Sequence, residues 1–94
     1  MDKSNSTVKK TLIIQNKLGL HARAASQFVQ KANKFKADIT VGKGKQEVNG
    51  KSIMGVMMLA AAKGSKITVT ASGEDADSAL DAVEKLVNDK FGEE

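Results

Sequence analysis

Residues Ser65 to Ala71 alternate cleanly: Ile67, Val69 and Ala71 fall on one side, and Lys66, Thr68 and Thr70 on the other. Successive side chains of a strand point to opposite faces, so this segment belongs in a sheet with one dry and one wet face. The same signature recurs where Ala37, Ile39 and Val41 alternate with Asp38 and Thr40, and again within Val8 to Gln15, where Leu12 and Ile14 oppose Thr11 and Ile13. Gln46 to Val48 is a weaker strand, preceded by a tight reversal at Gly42-Lys43-Gly44 and ended by the turn dipeptide Asn49-Gly50. A sheet of such strands is largely antiparallel, and something must cover its dry face.

Three segments of helical period supply that cover. Ala25, Phe28, Val29 and Ala32 form an apolar stripe on a helix starting near His21 or Ala22 and fading near Asn33. Ile53, Val56, Met57 and Ala60 give one face to a second helix, capped by Ser52 and expected to end at Lys63-Gly64. Ala76, Ala79, Leu80, Val83, Leu86 and Val87 mark a third, beginning near Asp75. Glu74, Asp75 and Asp77 suit the positive end of that helix's dipole, Lys85 and Lys90 its negative end, and Asp81 and Lys85 have i,i+4 spacing. The order is β-α-β-β-α-β-α, an α+β layered domain.

At 94 residues the chain is expected to be a single domain spanning 1–94, with residues 1–6 loose. It has no cysteine, which removes disulfides and thiolate chemistry and suits a reducing compartment. Its polar start and lack of a long apolar run predict a cytoplasmic protein with no membrane partner. Residues 1–73 carry 13 bases and 3 acids, whereas residues 74–94 carry 2 bases and 8 acids. A basic body attracts anions, but 14 of the 15 bases are lysine and the 3 aromatics are all phenylalanine. A nucleic-acid-binding domain would ordinarily show arginines and stacking aromatics, so that function is disfavoured.

The one arginine, Arg23, stands two residues after the one histidine, His21, in Gly19-Leu20-His21-Ala22-Arg23. A glycine-containing loop here hands over to a helix, whose first turn offers unpaired N–H groups and a positive dipole end, a favourable place for phosphate. A neutral imidazole can attack phosphorus, and a guanidinium can fork onto phosphoryl oxygens. A lone histidine at a helix start also serves simply as a cap or a surface residue. A metal site is a poorer fit, with no second histidine and no cysteine to complete a ligand set.

Gly19-Leu20-His21-Ala22-Arg23 resembles the phosphorylation-site signature of the HPr family, the histidine-containing phosphocarriers of the bacterial phosphoenolpyruvate-dependent phosphotransferase system. Lys51-Ser52-Ile53-Met54-Gly55-Val56-Met57 resembles the regulatory serine region of the same family, at the matching separation. The resemblance implies an open-faced β-sandwich, with a four-stranded antiparallel sheet covered on one face by three helices. It implies that His21 accepts a phosphoryl group through Nδ1 from enzyme I and passes it to IIA domains of sugar permeases, with Arg23 steadying the group. Such a protein is a carrier and not a stand-alone catalyst, works as a monomer, and needs no cofactor or metal. The family pattern has proline directly after the arginine, where this chain has Ala24. Alanine keeps good helix propensity and restores an N–H donor, so a working site of slightly different geometry is expected.

Ser52 matches the serine modified by HPr kinase/phosphorylase in many relatives, and a transcriptional regulator is a further implied partner. A phosphate there would be tolerated at a helix N-terminus and would add about −2 charge to the partner-facing surface. Leu20, Ile53, Met54 and Met57 are the expected docking patch, because methionine adapts to differently shaped partners. Lys17, Lys51 and Lys63 could ring it and steer acidic partners. A purely regulatory module acting through Ser52 is the competing function. The presence of His21 with Arg23 favours the carrier.

Overall fold

The computed structural model describes residues 6–93. The expectation of a loose start therefore lies outside the described residues except at Ser6, whose carbonyl accepts the Gly73 N–H at 2.8 Å. Four strands, β1 (Thr7–Ile13), β2 (Asp38–Lys43), β3 (Gln46–Asn49) and β4 (Lys66–Ser72), alternate with helices α1 (Ala22–Ala32), α2 (Ile53–Met58) and α3 (Ala76–Asn88). A short turn, Lys90–Gly92, follows α3. The strands form one antiparallel sheet in the order β1-β4-β2-β3, with β4 paired to β1 from Thr7↔Ser72 to Ile13↔Lys66. This is the α+β open-faced sandwich.

The alternation that predicts the sheet also decides its faces. Leu12, Ile39, Val41, Ile67, Val69 and Ala71 are buried beneath the helices, while Lys9, Thr11, Asp38 and Lys66 face water. Each buried leucine, isoleucine or valine side chain stabilises the fold by about 1.5–3 kcal/mol relative to exposure. From α1, Ala24, Ala25, Phe28, Val29 and Ala32 close one part of the core; from α3, Ala76, Ala79, Leu80, Val83 and Val87 close another. Asp75 precedes α3 but does not cap it. Its carboxylate accepts the backbone N–H groups of Lys36 (2.9 Å) and Ala37 (2.8 Å), tying the start of α3 to the chain entering β2.

Three expectations need correction. The second helix ends at Met58, well before Gly64. Ala60 takes a left-handed φ of 49°, and Gly64, at φ 91°, instead serves the turn into β4, donating its N–H to the Ile14 carbonyl at 2.7 Å. The short helix lets Leu59 and Ala61 turn into the core, so the buried positions here are Val56, Leu59 and Ala61 rather than a stripe through Ile53, Met57 and Ala60. Finally, Lys85 reaches forward to Asp89 (3.1 Å) and not back to Asp81. Both members of that pair are largely exposed, so its contribution is small.

Candidate functional site

His21 is the residue that precedes α1, with extended backbone angles (φ −73°, ψ 178°). Its carbonyl accepts the first helical bond, from the Ala25 N–H at 2.8 Å, so the amides of Ala22, Arg23 and Ala24 stand ahead of the helical ladder. The imidazole does not cap the helix and is free to project from it. Ala24 is fully buried beneath the site, where its methyl group joins the core.

The loop before His21 is held by Gly19. Its φ of +68° is left-handed, and a Cβ there would overlap the Ala61 carbonyl oxygen. That close approach lets the next residue, Leu20, donate its N–H to the same carbonyl at 2.8 Å. The consequence corrects one expectation: Leu20 is only 4% exposed and belongs to the core, not to an outward docking surface. The other expected patch residues are exposed, Ile53 at 42%, Met54 at 75% and Met57 at 40%, and Met58 joins them at 66%. They sit on α2, which packs against α1.

Arg23 and His21 line one shallow cavity of about 510 Å³, together with Lys17, Leu18, Phe91, Gly92 and Glu93. The presence of the last three residues follows from the turn after α3. Lys90, Phe91 and Gly92 have φ of 58°, 55° and 77°, three left-handed residues in succession. Left-handed backbone costs roughly 1–2 kcal/mol per non-glycine residue. Burial of the Phe91 side chain, 3% exposed, offsets that cost. The reversal brings the Glu93 carboxylate over the histidine, with Oε2 at 2.7 Å from His21 Nε2. Glu93 Oε1 accepts from Asn16 Nδ2 at 3.2 Å, and the same amide group donates to the Gly19 carbonyl at 2.7 Å. The His21 bond, foremost, and the Asn16 bond hold the Glu93 carboxyl below the usual glutamate range, against partial desolvation.

His21 and Arg23, paired in the sequence motif, share this cavity, and Lys17 lines it. Glu93 enters the sequence pattern only as one of the terminal acids, and Asn16 carries no sequence signal for the site. The available signal was Phe91-Gly92, a large apolar residue and a glycine directly after the last helical stripe. Among the lysines expected to ring the patch, Lys51 spends its ammonium on the Phe35 carbonyl at 2.8 Å, while Lys63 is exposed. Ser52 caps α2, its Oγ accepting the Gly55 N–H at 3.0 Å. Among the described residues no group of three or more His, Cys, Asp or Glu side chains could hold a metal ion, and no helix is long and apolar enough to cross a membrane.

A one-sided sheet with its dry face covered carries a histidine at a helix start, in one cavity with an arginine, and such a place suits a phosphate. Residues 8–89 match the family model described as the PTS HPr component phosphorylation site. The phosphocarrier protein HPr of Neisseria meningitidis serogroup A is 51% identical over 86 residues, covering 92% of this chain and 97% of that protein. The crystal structure of HPr-C-His from Thermoanaerobacter tengcongensis superposes with a TM-score of 0.90 at 46% identity, covering 93% of this chain and 98% of that one. Crh of Bacillus subtilis, described as a catabolite repression protein with a swapped, intertwined dimer, is similar at a TM-score of 0.72 and 41% identity, covering 88% and 95% of the two chains. The chain belongs to the HPr family of phosphotransferase-system phosphocarriers. It is a carrier, not a stand-alone catalyst, and its partners are components of that system.

Proposed function

We propose that His21 is the phosphoryl acceptor of this carrier, loaded by phosphorylated enzyme I and unloaded onto IIA domains, with Arg23 steadying the group in transit. The observation that carries this reading is the His21 ring, released from helix capping, in one cavity with the exposed Arg23 guanidinium. Phosphoryl transfer asks a protein mainly for position and charge stabilisation, and a helix start with a guanidinium supplies both. Ile53, Met54 and Met57 form the docking surface in this reading, and Leu20 supports it from within. The carrier acts as a cytoplasmic, single-domain monomer.

Ser52 is a second, regulatory site, modified by HPr kinase/phosphorylase and read by a transcriptional regulator. Its support is its place beside the exposed Ile53 and Met54, where added negative charge would meet any approaching partner. A module acting through Ser52 alone would have no use for the His21–Arg23 pairing.

Incubation with enzyme I and phosphoenolpyruvate should add one acid-labile phosphate, seen by intact mass. His21→Ala should abolish the gain. Equal loading of that variant would sink the acceptor assignment. The kinase with ATP should add an acid-stable phosphate that Ser52→Ala removes.

A further inference from the structure

We propose that Glu93, held in place by Asn16, is a positioning residue for His21: its carboxylate keeps the ring proton on Nε2 and leaves Nδ1 bare to take the phosphoryl group. The inference rests on the carrier reading and adds to it a residue 72 positions away in sequence.

A carboxylate has no proton to give, so across the 2.7 Å contact the ring nitrogen must donate. In a neutral imidazole one nitrogen carries hydrogen and the other a lone pair. With hydrogen fixed on Nε2, the lone pair is on Nδ1. The carboxylate is itself anchored. Asn16 is fully buried, and its Nδ2 faces two acceptors, the Gly19 carbonyl and Glu93 Oε1. Turning the amide over would set its oxygen against both. Asn16 Oδ1 has no partner among the described residues. Leaving a buried acceptor unpaired is costly. That cost is sustained where the two donor bonds require this orientation. The buried Phe91 and the left-handed turn fix the tail from the other side.

The chemistry balances without moving a proton. The Nδ1 lone pair forms the bond to phosphorus. The bond from phosphorus to the donor's leaving atom breaks, and its electron pair stays on that atom. The His21 ring gains one positive charge, which the Glu93 carboxylate faces through the retained Nε2–H. Lys17 and Arg23, lining the same cavity, are left to the phosphoryl oxygens.

The test uses the full chain and Glu93→Gln, whose amide can donate as well as accept and so releases the tautomer. Nitrogen-15 spectra of the ring are recorded in mild alkali. Loading is timed from phosphorylated enzyme I and, separately, from phosphoramidate. The substitution should lower the Nε2–H fraction. It should also slow loading about tenfold at saturating donor, with the half-saturating donor concentration unchanged. Glu93→Asp, which keeps the charge, should recover part of both. An unchanged tautomer ratio would overturn the proposal. So would loading that is unchanged or faster, since the carboxylate would then be a bystander or an obstacle. If the native chain accepted no phosphate from either donor, the carrier reading would fail, and the spectra would still decide whether Glu93 sets the tautomer.

Discussion

The starts of α1 and α2 use the same physics in opposite ways. Both are preceded by a residue in extended conformation, His21 and Ser52. Ser52 turns its hydroxyl inward and satisfies an amide of its own helix, so the start of α2 is closed by its own side chain. His21 makes no such bond, and its ring leans out to Glu93, leaving the first amides of α1 unclaimed by their own cap. A capping side chain stabilises its helix by about 1 kcal/mol. A side chain that forgoes capping is available for chemistry. The difference teaches that, under the proposed function, the two positions have different resting roles: His21 is left uncommitted by its helix, and Ser52 serves structure.

Arg23→Ala would test this contrast most severely. The loading rate of His21 should fall about 10- to 100-fold, by analogy with removing one charge-stabilising donor, and stopped-flow or quench loading would measure it. The fold should be unaffected, because Arg23 is exposed. Gly19→Ala should come next, costing about 2 kcal/mol or more through left-handed strain and overlap with the Ala61 carbonyl. Its urea midpoint should drop accordingly, and wild-type stability would show that the loop does not need this approach to the Ala61 segment after α2. Ser52→Ala should lower stability by about 1 kcal/mol in the same assay and leave His21 loading at the native rate. If loading fell too, the two helix starts would be coupled rather than merely different.

The smallest effect concerns acid. Asp75 is held below the ordinary aspartate range, first by the Lys36 N–H and further by the Ala37 N–H, against partial desolvation. A depressed carboxyl stabilises the fold above its unfolded pKa and loses that contribution as pH falls through the folded value. The stability gap between the native chain and Asp75→Asn should therefore be flat above about pH 5 and shrink toward stronger acid. A gap that widened in acid would contradict the assignment.

Much of this molecule is legible along the chain. The alternation of β4 survives as Ile67, Val69 and Ala71 buried against Lys66 exposed, and the stripes of α1 and α3 survive nearly intact. These are local signals: a period of two or of 3.6 depends only on which side chains share a face. His21 and Arg23 are legible for the same reason, since two residues apart at a helix start they are bound to be neighbours. The second helix was harder to read. Its six residues carry too few turns for periodicity to separate buried from exposed positions, and Ile53, Val56 and Met57 are equally apolar. Which of them is buried depends on how α2 lies against α1.

The sequence by itself therefore determined the order of elements, the one-sided sheet and the neighbouring pair His21 and Arg23, because each depends on contacts within a turn or a strand. Tertiary structure decided that Leu20 packs inside, that Ile53, Met54 and Met57 stay outside, and that Glu93 and Asn16 meet at the His21 ring. Those outcomes require the end of the chain to fold back onto its first loop, and although Phe91-Gly92 marks the reversal at Lys90–Gly92, no local spacing says what the tail then meets.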